Sequence, residues 1–107
     1  MEQNKQTDLN SICKDLELII EGLATGKESY REEETRYSLE EAVDYLREYL
    51  QELKDLSRQI LEYGNTPKLL KKVHDKYTEL WLFQLYFPVD SLPGVIGPLW
   101  RYPEGVE

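Results

Sequence analysis

The scarcest residues for nucleophilic, general-base or metal chemistry in this 107-residue chain are its one histidine, His74, and its one cysteine, Cys13. A histidine working as a general base needs a positioned carboxylate. Asp75 is adjacent in sequence but points roughly 100° away around a helix, and Glu79 is five residues on. His74 shares a stripe with Leu70, Tyr77 and Trp81 and reads as a hydrogen-bonded packing residue. Cys13 shares one with Leu16 and Ile20 and reads as a buried thiol acting as a small hydrophobe. Carboxylates are plentiful, and Glu17, Glu21, Glu41 and Glu48 are the set that could line a bundle interior. Di-metal bundles, however, use a Glu-x-x-His on each of two helices, and this chain has none. No Ser-His-Asp set, HExxH, CxxC or glycine-rich phosphate loop can be assembled. The expectation is a non-enzyme with no catalytic residue, no metal and no cofactor.

Composition narrows the partners. Net charge is −8, which argues against direct binding of a nucleic-acid backbone or an anionic membrane surface and favours a basic protein. The opening Met1-Glu2-Gln3-Asn4-Lys5 is no apolar signal region, and no apolar run approaches the ~20 residues of a membrane span. A single cysteine precludes an intrachain disulfide and fits a reducing compartment, so the expected location is cytoplasmic. A chain of this length implies one domain.

The elements that would position any site begin with the stretch from Tyr37 to Gly64. Ser38-Leu39-Glu40-Glu41 has the form of a capping box. From there Leu39, Val43, Leu46, Leu50, Leu53, Ser57 and Ile60 recur at 4, 3, 4, 3, 4, 3, the seam of a helix packed lengthwise on another. Ala42, Tyr45, Tyr49, Leu56 and Tyr63 form a second stripe beside it, so the apolar face is wide enough for two neighbours. Opposite run Glu40, Asp44, Glu48, Glu52 and Asp55, a ridge of like charge that must be solvated or matched. Gly64-Asn65 tolerates the left-handed backbone that ends such a helix.

Before it, residues 1–8 are polar and expected to fray, and Leu9, Ile12, Leu16, Ile19 and Leu23 mark an amphipathic helix over 9–24. The link from Lys27 to Arg36 carries Glu32-Glu33-Glu34 and reads as a solvated loop, or more sharply as an acidic knob for a basic partner. After it, Thr66-Pro67 opens a helix that Pro88 stops. Residues 66–79 of that helix hold four bases and two acids, whereas residues 1–64 hold 16 acids and eight bases. The basic half is therefore expected near the acidic face within one molecule. Its second half, Leu80 to Phe87, is apolar nearly all round and needs cover on every side.

Prolines at 88, 93, 98 and 103 argue against regular helix in the tail, yet Val89, Leu92, Val95, Ile96, Leu99, Trp100 and Tyr102 make it too apolar for disorder. The fold expectation is all-α: an antiparallel three-helix bundle over 9–24, 38–63 and 67–87, with 88–107 as an extended strap across it. A short fourth helical turn near Leu92–Ile96 is compatible with this pattern.

Seven of the twelve aromatics fall within residues 77–102. Trp81, Phe83, Tyr86, Trp100, Arg101 and Tyr102 are accordingly the expected partner-binding anchors. Glu40, Asp44, Glu48, Glu52 and Asp55 would steer a basic partner. The expected function is non-catalytic protein–protein interaction, as adaptor, assembly factor, inhibitor or immunity-type protein. One alternative is a self-associating subunit that buries the apolar segment in a homodimer. Another is an acidic mimic of nucleic acid, since the ridge repeats every ~6 Å, close to phosphate spacing.

Overall fold

The computed structural model describes residues 9–102, so the expectation for residues 1–8 and the last five residues of the tail lie outside it. The chain is all-α. Helix α1 spans Leu9–Thr25, α2 Leu39–Tyr63, α3 Pro67–Tyr86 and α4 Pro93–Arg101, with a 3₁₀ turn at Glu32–Glu34 between α1 and α2. Among the described residues the only β pairing is an isolated bridge between Tyr30 and Val89, and no helix is long and apolar enough to cross a membrane.

The helix boundaries follow local chemistry. At the start of α2, Glu41 N–H donates to Ser38 Oγ (3.2 Å) and Ser38 N–H donates to Glu41 Oε1 (2.8 Å), which closes the capping box. Gly64 ends α2 at φ 83°, a backbone a side chain would strain. Thr66 Oγ1 accepts from Leu69 N–H, and Pro67 takes the first helical position of α3.

The tail departs from expectation. Instead of a non-helical strap, residues 93–101 form a fourth helix with Pro98 inside it. Pro93 occupies the first turn, where a missing N–H has no consequence. Pro98 removes one helical bond, a cost of about 3 kcal/mol. Against that, Leu92, Val95, Ile96 and Leu99 are all buried on one side. At about 1.5–3 kcal/mol per fully buried aliphatic side chain, burial outweighs the proline.

This helix also changes the bundle. Helix α2 packs on α1 and α3, and α4 packs on α1 and α3, so the four helices close a ring rather than a triangle. One core runs through it, from Leu9, Leu16 and Leu23 of α1 through Leu46 and Leu53 of α2 and Leu80 of α3 to Leu99.

The α1–α2 link is docked rather than free. Arg31 N–H donates to Pro88 O (3.1 Å), and Thr35 Oγ1 donates to Tyr86 O (2.5 Å). Ser91 Oγ donates to Glu28, and Arg31 pairs with Asp90 at 3.4 Å. The link thus grips the turn between α3 and α4. Within the glutamate run, Glu32 Oε2 accepts from Leu39 N–H and adds a second cap to α2, while Glu34 lies 3.5 Å from Arg31.

Candidate functional site

The groups with intrinsic reactivity are scattered. Cys13 is buried on the inner face of α1. His74 lies exposed on α3, with its ring 6.1 Å from Tyr77, rather than packed as a core residue. It sits on the arc of α3 next to the solvent side, which one helical turn of sequence could not distinguish from the buried arc. Glu41 is used in the α2 cap, and Glu17 lies 3.7 Å from Lys54. Among the described residues, no three His, Cys, Asp or Glu side chains converge.

The acidic ridge divides. Glu40, Asp44 and Glu48 face solvent on α2. Glu52 is drawn to Lys76 of α3, and Asp55 Oδ1 accepts from Arg58 at 3.0 Å. The basic half of α3 therefore does lie against the acidic side of α2, but only at its far end. There a shallow cleft between the two helices is lined by Glu52, Asp55, Gln59, Lys72, Asp75 and Lys76, together with Leu56. Its acids and bases are mixed, which gives it no preference for one sign of ligand.

Lys76 is the centre of a polar latch. Its side chain is only 16% exposed, and its ammonium reaches Glu52 and Glu79, the latter at 3.3 Å. Tyr45 Oη donates to the other Glu79 oxygen at 3.0 Å. Burial pushes the Tyr45 phenol above its ordinary pKa, and the hydrogen bond to Glu79 adds to the shift. Burial does the same to Tyr49, with the Glu79 charge second. These groups join α2 to α3, and Lys76 and Glu52 also line the shallow cleft between the two helices.

The aromatic residues expected as anchors separate into two groups. Phe83 is 4% exposed and stacks on Phe87 with centroids 4.3 Å apart, so it is core and not an anchor. Tyr45 and Tyr37 pack beside that pair, with Tyr45–Phe83 centroids at 5.0 Å and Tyr37–Phe87 at 4.7 Å. Tyr102 is half-buried, and its hydroxyl donates to Asn65 Oδ1 at 2.8 Å, tying the end of α4 to the α2–α3 turn. Arg101 is exposed in the last turn of α4, where a cation suits the helix dipole.

The other three aromatic residues expected as anchors are presented to solvent: Trp81 at 43% exposure, Tyr86 at 56% and Trp100 at 60%. Two leucines absent from the sequence-based anchor set join them, Leu82 at 47% and Leu85 at 59%. At about 100° per residue Trp81, Leu85, Leu82 and Tyr86 span the outer arc of α3, opposite Leu80 and Phe83. The Trp100 ring lies 5.1 Å from that of Tyr77, one helical turn before Trp81, so α4 extends the same apolar surface. The tail therefore covers the α3 flank that bears Tyr77 and leaves the outer arc open. The signal for the leucines was present in the run Leu80–Phe87, which is apolar on every side. A helix with one face in the core must show the remainder elsewhere.

No protein-family model, curated protein or solved structure matches this chain.

Proposed function

We propose that the chain is a non-catalytic protein–protein interaction module that docks a partner on the outer arc of α3 and Trp100. The observation that carries this reading is the contiguous, uncharged arc of Trp81, Leu82, Leu85 and Tyr86, all about half exposed although the core beneath them is complete. Monomeric proteins seldom leave such a patch to water. Tryptophan and tyrosine are also the residues that most often anchor interfaces. The solvated acids Glu40, Asp44 and Glu48 lie on a different helix, where they can steer a basic partner without being desolvated. The nucleic-acid-mimic alternative has less support, because ion pairs with Lys76 and Arg58 break the acidic row at Glu52 and Asp55.

The test is affinity capture from native lysate at low and high salt. The full chain is run beside Leu85→Glu and beside the pair Asp44→Lys, Glu48→Lys, after circular dichroism shows each folded. The expected result is a specific protein, foreign or the chain itself, held by the wild type and lost by Leu85→Glu. Where the captured protein is foreign and basic, the ridge pair should weaken capture chiefly at low salt. Identical capture by wild type and Leu85→Glu would remove the reading.

A further inference from the structure

We propose that the partner seated on this arc is a second copy of the chain, joined through an antiparallel pairing of α3 with its symmetry mate. The inference rests on the reading of the arc as a docking surface.

The first support is the distribution of charge along the face. Its N-terminal end carries Lys68 and Lys71, both exposed, with Asp75 3.7 Å from Lys71. Its middle and C-terminal part is Thr78, Trp81, Leu82 and Leu85, without a formal charge. Beyond its C-terminal end lies the docked acidic link, with Glu33 and Glu34 exposed, anchored there through Thr35 to Tyr86 and Arg31 to Pro88. Basic, apolar and acidic thus follow in order. A two-fold rotation that sets α3 antiparallel to its mate lays leucine on leucine and brings each lysine end toward the other copy's glutamates. An isologous interface requires this kind of self-complementarity.

The second support is that the chain's net charge of −8 is kept away from the contact. Glu79, the one acid in the C-terminal half of α3, is turned toward α2 by Tyr45 and Lys76. The α2 ridge lies on a neighbouring helix. The paired molecule would therefore show two acidic ridges outward, a bivalent surface for a basic protein.

The third is area. Side chains of these sizes at about half exposure present on the order of 100 Å² each, so five from each copy bury roughly 1,000 Å² in total, the threshold for a specific interface.

The experiment is sedimentation velocity on the full chain from low to high micromolar. The expected result is a concentration-dependent dimer. Leu85→Glu, which sets two carboxylates against apolar surface at the centre, should weaken it roughly 100-fold or more. Lys68→Glu with Lys71→Glu should weaken it more mildly, and adding Glu33→Lys with Glu34→Lys should restore it. Should Leu85→Glu fail to fold, Leu85→Cys gives a second readout. It should cross-link to its own mate under mild oxidation, whereas Leu18→Cys, 66% exposed on the back of α1, should not. A wild type that stays monomeric throughout would overturn the second copy as occupant. The docking reading would then stand only if Leu85→Glu still lost a captured foreign protein. A dimer unaffected by Leu85→Glu, or one that the combined charge reversal fails to restore, would overturn the antiparallel α3 pairing.

Discussion

Lys76 and Tyr49 hold each other from both ends. The lysine ammonium lies 4.9 Å from the centroid of the tyrosine ring, and the tyrosine hydroxyl donates to the lysine's own carbonyl oxygen at 2.5 Å. One contact uses the ring face and the other uses its polar edge, so the pair fixes both the separation and the rotation of α2 against α3. The expected cost of Lys76→Met, which keeps the apolar stem but removes the charge, is about 1–2 kcal/mol, read as a lower urea midpoint at unchanged slope. Tyr49→Phe should cost about 1 kcal/mol through the lost hydrogen bond. The costs should add to within about 0.5 kcal/mol in the double variant, because Lys76→Met leaves the carbonyl that Tyr49 bonds and Tyr49→Phe keeps the ring face beneath the ammonium. A large departure from additivity would show that one contact depends on the other.

The same phenol sets a pH dependence. Burial, followed by the nearby charge of Glu79, raises the Tyr49 pKa above its ordinary value of about 10. The folded state therefore binds the phenolic proton more tightly than the unfolded chain does. The stability this contributes is fully present below pH ~10 and is lost as the pH climbs beyond that toward the folded-state pKa, at up to about 1.4 kcal/mol per unit for one group. Urea midpoints measured from pH 8 to 11 should fall over the upper part of that range. In Tyr49→Phe the fall should be shallower, though Tyr45 and Tyr30, both also raised by burial, leave some of it. A wild-type profile flat to pH 11 would contradict the buried environment of Tyr49.

Helix α4 is part of the core and not a detachable strap. Leu92, Val95 and Leu99 are at most 1% exposed, and they fill the space between α1 and α3. Leu99→Ala should cost about 2–4 kcal/mol. Trp100→Ala, one residue on but facing solvent, should cost about 1 kcal/mol or less, mostly the ring contact with Tyr77. A chain ending at Phe87 should lose most of its cooperative thermal transition, and for that reason point variants, not truncations, separate binding from folding here. A truncated chain that melts like the full one would refute this role for α4.

How much of this could be read from the sequence depends on how far each determinant reaches along the chain. The capping box at Ser38 and the Thr66-Pro67 start are settled within four residues, and both are found as expected. The seam of α2 was legible because its 3.5-residue apolar period runs from Leu39 to Ile60 with one polar slot, Ser57. Helix α4 was legible only as a compatible turn near Leu92–Ile96, because its prolines speak locally against helix while its justification is burial against α3 just before it and against α1, some 70 positions earlier. Phe83 was misplaced for a related reason. In a segment apolar on every side, composition does not say which arc the core will take, and the choice fell to Leu80 and Phe83 once α2 supplied Tyr45 and Tyr49. The glutamate run was equally ambiguous, since nothing nearby in sequence shows that Pro88 and Tyr86 receive the link.

That link makes three adjacent glutamates unequal. Glu32 accepts from Leu39 N–H at 3.1 Å and so completes the N-terminus of α2, whereas Glu33 is exposed beside it. Glu32→Ala should cost about 1 kcal/mol, the usual worth of a helix-cap hydrogen bond. Glu33→Ala should stay within roughly 0.5 kcal/mol, as exposed surface changes do. The docking of the link has its own readout. The Arg31 amide, bonded to Pro88 O, should exchange with solvent far more slowly than an amide in a free loop, and Thr35→Val should speed it by releasing the bond to Tyr86 O. Fast exchange at Arg31 in the wild type would mean that the link moves independently of the α3–α4 turn, and the acidic end of the α3 face would then lack a fixed position from which to meet a partner's lysines.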